Sequence, residues 1–403
     1  MLTPARTGAA VLAALLLGGL AAGPALADAS ATASPVAPPA ALYGKGDPTY
    51  DGVWRQSLAL TALSSAKVTP AAAAVDWLTG QQCADGGWPS FRADTGAACT
   101  AATEDSNATS LAVQALVALG GHQAAVDKGV DWLKANQNSD GSWAYNPGNP
   151  GDADSTGLAV SALRAAKLDP GTVAKSGRTG QQALAALQLG CETAADQRGA
   201  LAYQATAGSP LSANALATAQ ATLALAGGAL PVPASSPDGT APKALECGGS
   251  VSPAEGASAY LAGQLTANGQ HLMLAMPGAT PTPDFAATSW AVLSLVRAGH
   301  PTQAAGAVDW LSANGGSWAK GPAGPDAAAT ATLILAAQAA GRDPHSFAGT
   351  DLVKQLTEAG PAPKAAETKK ASGGFSKLWM IGVGLLIGAG GGLALSVNRK
   401  RGL

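Results

Sequence analysis

Two kinds of apolar segment alternate from about residue 50 to residue 360, both with the spacing of a buried helix face. The first kind opens on an acid, has Thr four residues on, and continues in Ala and Leu. Asp105/Thr109 leads into SLAVQALVALG, Asp152/Thr156 into GLAVSALRAAK, Asp284/Thr288 into SWAVLSLVRAG and Asp326/Thr330 into ATLILAAQAAG. Asn214/Thr218 is a degenerate copy, and the stretch around Trp54–Leu60 is a sixth, with Gln56 in the Thr place. The second kind carries Trp-Leu, a short polar run and Gly-x-Trp, at Ala73–Trp88, Lys128–Trp143 and the shorter Gly306–Trp318. Worn copies lie at Gln182–Tyr203 and at Ala257–His271, where His271 stands in the Trp place. Phe347–Leu356 is an amphipathic remnant. An acid at a helix start accepts hydrogen bonds from free N–H groups and meets the helix dipole, so the first kind reads as N-capped helices.

Repetition on this scale predicts stacked two-helix units and an all-α fold of about six helical hairpins. A lone helix of the first kind comes first and a lone one of the second kind last. Pairing these two closes a ring, whereas an open solenoid would need polar caps that the sequence lacks. Each repeat Trp (Trp88, Trp143, Trp318) reads as a packing device, burying a large ring beside a Gln amide that reaches backbone groups.

Composition adds bounds. The 403 residues carry a formal charge of −2 and no basic stripe, which argues against nucleic acid as a partner. Aromatics are 4% against 47% apolar residues, so the core consists mostly of small side chains that let helices approach closely. At the N-terminus, Arg6, the apolar run Ala9–Ala22 and Ala25-Leu26-Ala27 read as a signal peptide over 1–27, followed by a Pro/Ala/Ser-rich linker over 28–49. The repeats fill 50–360, and residues 361–377 form a tether. Residues 378–397 hold no charge and at ~1.5 Å per residue span ~30 Å, which predicts a transmembrane helix, with 398–403 as a cytoplasmic tail. The expected location is the cell membrane, single-pass, with the body outside and the C-terminus inside. No LPxTG-like sorting sequence precedes the apolar run.

The Trp-Leu…Gln…Gly-x-Trp segment resembles the QW repeat of the squalene and oxidosqualene cyclases. Lys128-Gly129…Trp132-Leu133…Gln137…Gly141-x-Trp143 matches it throughout; the copy ending at Trp88 lacks the basic residue and the copy ending at Trp318 lacks the Gln. The alternation is similar to the α/α toroid shared by those cyclases, protein prenyltransferase β subunits, the complement thioester domain and cobalamin carriers. The resemblance implies an outer layer of Trp-Leu helices, an inner layer around a central cavity, and inner helix starts gathered at one mouth.

The chemistry of these families is mostly missing. Prenyltransferase zinc takes Asp, Cys and His, but no Asp-x-Cys occurs and His122, His271, His300 and His345 are scattered. No Asp-Asp pair is present to hold magnesium on a diphosphate, so no metal is expected. Gly190-Cys191-Glu192-Thr193 is only superficially like the thioester signature. Asp152-Ala153-Asp154-Ser155 resembles the DxDD motif of squalene-hopene cyclases, which would make Asp154 the catalytic acid. Carbocations need aromatic walls, however, and the inner helices offer little beyond Trp54 and Trp290. Four cysteines in an exported chain read as two disulfides, and Cys83–Cys99 with Cys191–Cys247 is the pairing that keeps each bridge within one stretch between repeats. No cofactor is expected, a cobalamin-like ligand following only from fold analogy. The resulting expectation is an anchored ring that binds a small molecule or another exported protein through its cavity, with an isoprenoid cyclase or prenyltransferase-like enzyme as the alternative. Contacts are expected from Trp54, Asp105, Thr109, Asp152, Asp154, Thr156, Asp284, Thr288, Trp290 and Asp326.

Overall fold

The computed structural model describes residues 36–364, apart from residues 235, 237, 238, 276, 277 and 323. The expected signal peptide, transmembrane helix and cytoplasmic tail, with most of the tether, lie outside the described residues. None of the described helices is long and apolar enough to cross a membrane.

The regular secondary structure of the described chain is almost entirely helical, in agreement with the all-α expectation. Six helices form an inner layer: α1 (Gly52–Ser65), α3 (Ser106–Leu119), α5 (Ala153–Ala165), α7 (Ala215–Leu225), α9 (Phe285–Ala298) and α11 (Ala327–Ala339). Each packs against the next, and α11 packs back against α1, so the layer closes. Six more helices alternate with them outside: α2 (Ala72–Gly80), α4 (Gln123–Ala135), α6 (Gly180–Ala186), α8 (Pro253–Ala267), α10 (Pro301–Lys320) and α12 (Leu352–Glu358). Two short antiparallel hairpins interrupt the alternation: β1 (Ala174–Lys175) with β2 (Arg178–Thr179), and β3 (Leu272–Leu274) with β4 (Thr282–Asp284).

The layers differ as their sequences do. α4 is amphipathic and buries Val126, Gly129, Trp132 and Leu133 along one stripe. The inner helices are buried on every face: residues 55–63, 108–116, 155–163, 217–224, 287–296 and 329–337 are unbroken buried runs. Two turns of helix without an exposed position leave no side open to a water-filled bore. The central cavity implied by the resemblance is therefore filled by the ring's own side chains. Small residues make this possible. Gly157 on α5 lies so close to α7 that a Cβ there would sit 3.0 Å from Ala221 Cα. Ser294 on α9 donates to the Ala219 carbonyl of α7.

The repeat residues act as staples between neighbouring units. Trp88 and Trp143 are fully buried, donating through Nε1 to Leu78 and Leu133 carbonyls at 2.8 and 2.7 Å. Each ring seats on a glycine of the next outer helix: a Cβ on Gly129 or Gly180 would lie 2.9 Å from the Trp88 or Trp143 ring. The Gln amides of Gln82, Gln137 and Gln188 each bridge their own turn to a carbonyl of the following unit.

Gly306–Trp318 departs from this plan. It is helical throughout α10, and Trp318 stacks on Phe285 at 5.7 Å instead of entering a pocket behind a turn. Eight residues separate Trp310 from Trp318, against eleven between Trp132 and Trp143, and the Asp-Gly turn is missing, so nothing stops the helix. The linker expected over 28–49 also packs where it is described. Tyr43 is fully buried, Gly44 N donates to Ala359 O at 2.9 Å, and Gln56 is bonded to the backbone of Ala41, Tyr43 and Ala74. Both ends of the array thus meet at the seam between α1 and α12. Both disulfides are present as paired, Cys83–Cys99 and Cys191–Cys247.

Candidate binding site at the mouth of the ring

The N-terminal ends of the inner helices are tied to one another by the loops between units. Val53 N donates to Ser90 O, Ser106 N to Tyr145 O and Ala153 N to Tyr203 O, at 2.8–2.9 Å. Each carbonyl belongs to the loop leading into the next inner helix, so consecutive helix starts share one rim. The caps are side-chain carboxylates: Asp105 accepts from Asn107 and Ala108 N, Asp152 from Ser155 N, Asp284 from Ala287 N and Asp326 from Ala329 N. Asn214 does the same for α7. These bonds satisfy donors that helix geometry leaves free and offset the positive end of the dipole.

The threonines four residues on are clips, not ligand contacts. Thr109, Thr156, Thr218 and Thr288 are fully buried, and each hydroxyl accepts the backbone N–H of Trp88, Trp143, Leu201 or Leu272 at 2.8–3.0 Å. The expectation that Thr109, Thr156 and Thr288 face a ligand is corrected: a side chain reaching one turn along the helix meets the loop before it reaches the mouth. Trp290 is likewise buried within α9 and does not line the opening.

In the repeat register the position two residues before each clip is equivalent in all six inner helices. Trp54, Asn107, Asp154, Leu216, Ala286 and Ala328 occupy this place in the six inner helices, and all six are half-buried. Above them stand Tyr145 and Tyr203, 42% and 43% exposed, on the loops before α5 and α7. Tyr50, beside the α1 start, is exposed as well. One side of the floor is polar (Asn107, Asp154) and the other apolar (Leu216, Ala286, Ala328).

Two floor oxygens stand out chemically. Asn107 Oδ1 and Asp154 Oδ1 are sealed from solvent without a hydrogen-bond partner. Burial, and then the charge of Asp152, push the Asp154 carboxyl up to about 7. Asp105 is also raised by burial, opposed by bonds from Ala108, Tyr145, Ser90 and Asn107. Asp152 and Asp284 are raised by burial as well. Tyr145 and Tyr203 are pushed up to about 12, first by burial and then by neighbouring carboxylates. Ser90 Oγ donates to Asp105 Oδ2 at 2.9 Å and lies 3.0 Å from the Tyr145 hydroxyl.

Of the residues expected from sequence, Trp54 and Asp154 are on the floor, and Asp105, Asp152, Asp284 and Asp326 cap the helices around it. Asn107, Tyr145 and Tyr203 were not expected. Asn107 could have been found by aligning the repeats on Thr, which puts it level with Asp154; the tyrosines lie in loops without a repeat signature. A cleft of about 310 Å³ opens at the α1–α11 seam, lined by Tyr50, Asp51, Arg55 and Asp326 among others. Arg55 is already engaged there, by Asp51 Oδ1 at 2.9 Å and the Gly46 carbonyl at 2.7 Å. Cys83, Cys99 and Glu104 converge elsewhere, but both sulfurs are spent in a disulfide, so these three residues do not make a metal site.

With this geometry in hand, comparison with known proteins supports the kinship. Residues 38–167, roughly a third of the chain, match the family model of the squalene-hopene cyclase C-terminal domain, which supports the terpenoid cyclase-like α/α toroid superfamily. That segment is where the two seated tryptophans lie. A crystal structure of a protein from Actinoplanes aligns over 75% of this chain and 80% of that one, at 18% identity and a TM-score of 0.45. No curated protein matches.

Proposed function

From a ring akin over residues 38–167 to the squalene-hopene cyclase C-terminal domain, we propose a non-catalytic receptor. In this reading the chain is exported and anchored in the cell membrane by residues 378–397, and the mouth of its ring binds a small molecule or a segment of another exported protein. The observation that carries the reading is the contrast between a filled bore and an open mouth. A cyclase must enclose a long polyprene in a dry chamber with aromatic walls. Here the inner helices are buried on all faces and the aromatics stand at the rim. The unpartnered Asp154 Oδ1 supports binding at the mouth, since a sealed polar atom without a partner costs about 1–3 kcal/mol until a ligand satisfies it. Export and anchoring rest on the sequence of the two ends.

One observation favours the enzyme alternative: an acid at about 7 keeps its proton near neutral pH, as a general acid must. Native mass spectrometry of the full chain extracted from its host membrane decides between them. The receptor reading expects a bound mass that Asp154→Ala loses while the thermal melt is retained. Turnover of squalene to a cyclised product, abolished by Asp154→Asn, would replace the receptor with a cyclase. Protease added to intact cells is expected to cut within 361–377 and release one large fragment, and full protection would overturn the exported topology.

A further inference from the structure

We infer that the mouth selects a cationic nitrogen, an ammonium or guanidinium group, seated between Asn107, Asp154 and the faces of Tyr145 and Tyr203. This deepens the receptor reading and rests on it.

The first argument is hydrogen bonding. The sealed orphan atoms of the floor, Asn107 Oδ1 and Asp154 Oδ1, are both acceptors. They hold equivalent positions on the neighbouring helices α3 and α5, and each accepts from an N–H donor, which an oxyanion lacks.

The second argument is charge. Asp154 faces Asp152 on its own helix and Tyr203 on the loop entering α7. On the α3 side stand Asp105 and Tyr145. None of these is a base. The one buried guanidinium at the helix starts, Arg55, is held at the seam by Asp51 and Gly46. An ionised Asp154 therefore has no counter-charge from these neighbours, and a ligand cation supplies it. The helix dipoles, which would otherwise attract an anion, are already met by the caps Asp105, Asp152, Asp284 and Asp326.

The third argument is aromatic. Tyr145 and Tyr203 stand partly exposed beside these carboxylates. A desolvated cation against a tyrosine face gains about 2 kcal/mol. The apolar half of the floor, Leu216, Ala286 and Ala328, is left for the carbon chain that carries the nitrogen.

The test uses the full chain in detergent with probes of matched size: n-butylammonium, n-butyramide and butyrate, together with Lys- and Arg-containing tripeptides. Binding is read by calorimetry and by tyrosine ring NMR shifts, at pH 5.5 and pH 8. The cations are expected to bind, tighter at pH 8 by about thirtyfold as Asp154 ionises. Asp154→Asn, nearly the same shape, is expected to remove that pH dependence while the chain still melts cooperatively. Tyr203→Leu is expected to weaken the cations while leaving the pH dependence in place. Binding by n-butylammonium alone points to a free amine as the natural source, and binding only by the peptides points to a basic side chain of an exported protein. Equal binding of butyramide and n-butylammonium overturns the charge selection and leaves the receptor reading standing. Binding of butyrate alone, cation binding unaltered by Asp154→Asn, or no cation binding at all overturns the inference outright.

Discussion

The two halves of the ring solve the same packing problem by different means. Between α1 and α6 the two joints between units are each locked by a seated indole, a glycine with no room for a side chain, and a Gln that crosses to the next unit. From α7 to α12 no tryptophan is seated in this way among the described residues. Leu201 and Leu272 take the clip positions once held by Trp88 and Trp143. His271, Trp310, Phe285 and Trp318 instead stack on one another, His271 on Trp310 at 4.5 Å. The inner helices are equally buried in both halves, so closure does not depend on the QW device. The mouth shows the same division: polar over α3 and α5, apolar over α7, α9 and α11. The stapled half also holds Asp154 and Glu104, both raised to about 7; for Glu104 the cause is burial and then Asp85.

The comparison is sharpest at the tryptophans. Trp143→Ala removes a fully buried ring and its hydrogen bond, and is expected to cost about 3–5 kcal/mol. Trp318→Ala, at a half-buried site, is expected to cost well under half of that in the same urea titration. Equal losses would mean that the stapled half is not the more tightly specified one.

The disulfides come next. The loop of Cys191–Cys247, at a separation of 56, constrains the unfolded chain by about 4 kcal/mol in the chain-entropy account. Cys83–Cys99, at 16, contributes about 3 kcal/mol. Paired Cys→Ser variants, melted side by side, are expected to keep that order.

Glycines test the seats directly. Gly180→Ala places a Cβ 2.5 Å from Val160 Cγ2 and 2.9 Å from the Trp143 ring, and is expected to cost about 1–3 kcal/mol. Gly263→Ala, within α8 and facing open space, is expected to stabilise by about 0.5–1 kcal/mol through helix propensity and unfolded-state entropy. Destabilisation by the second change would break the assignment of open space to the second half.

The smallest effect is the pH response. Asp154 is raised on folding, so the folded chain binds the extra proton between about pH 4 and pH 7. Its contribution is fully present below the unfolded value, falls as pH rises through this window, and is flat above it. Asp154→Asn is expected to shallow the slope of stability against pH between 4 and 7, and Glu104→Gln to do so again. A stability that rises across this window in the wild-type chain would contradict both assignments.

Much of this was legible because the signals are local. The Asp-x-x-x-Thr spacing marks a capped helix start, and a cap acts within one turn, so Asp105, Asp152, Asp284 and Asp326 could be placed as caps without any tertiary contact. Repetition revealed the alternation, and closure followed from the unpaired helix at each end. The pairing of cysteines followed from which stretches lie between repeats.

What the tertiary structure decided depends on distances between units. A Thr one turn inside a helix looks the same in sequence whether it faces a ligand or the next loop, and only the close approach of Trp88 or Trp143 assigns the hydroxyl. The state of the bore was hidden for a similar reason. A stripe of Ala, Ser and Thr lines a cavity if the ring is wide and fills it if the helices close to contact, and the contact of Gly157 with Ala221 shows which of these holds. Tyr203 comes beside Asp152 and Asp154, and Tyr145 beside Asp105 and Tyr203, because the ring brings their units together; along the chain nothing links them.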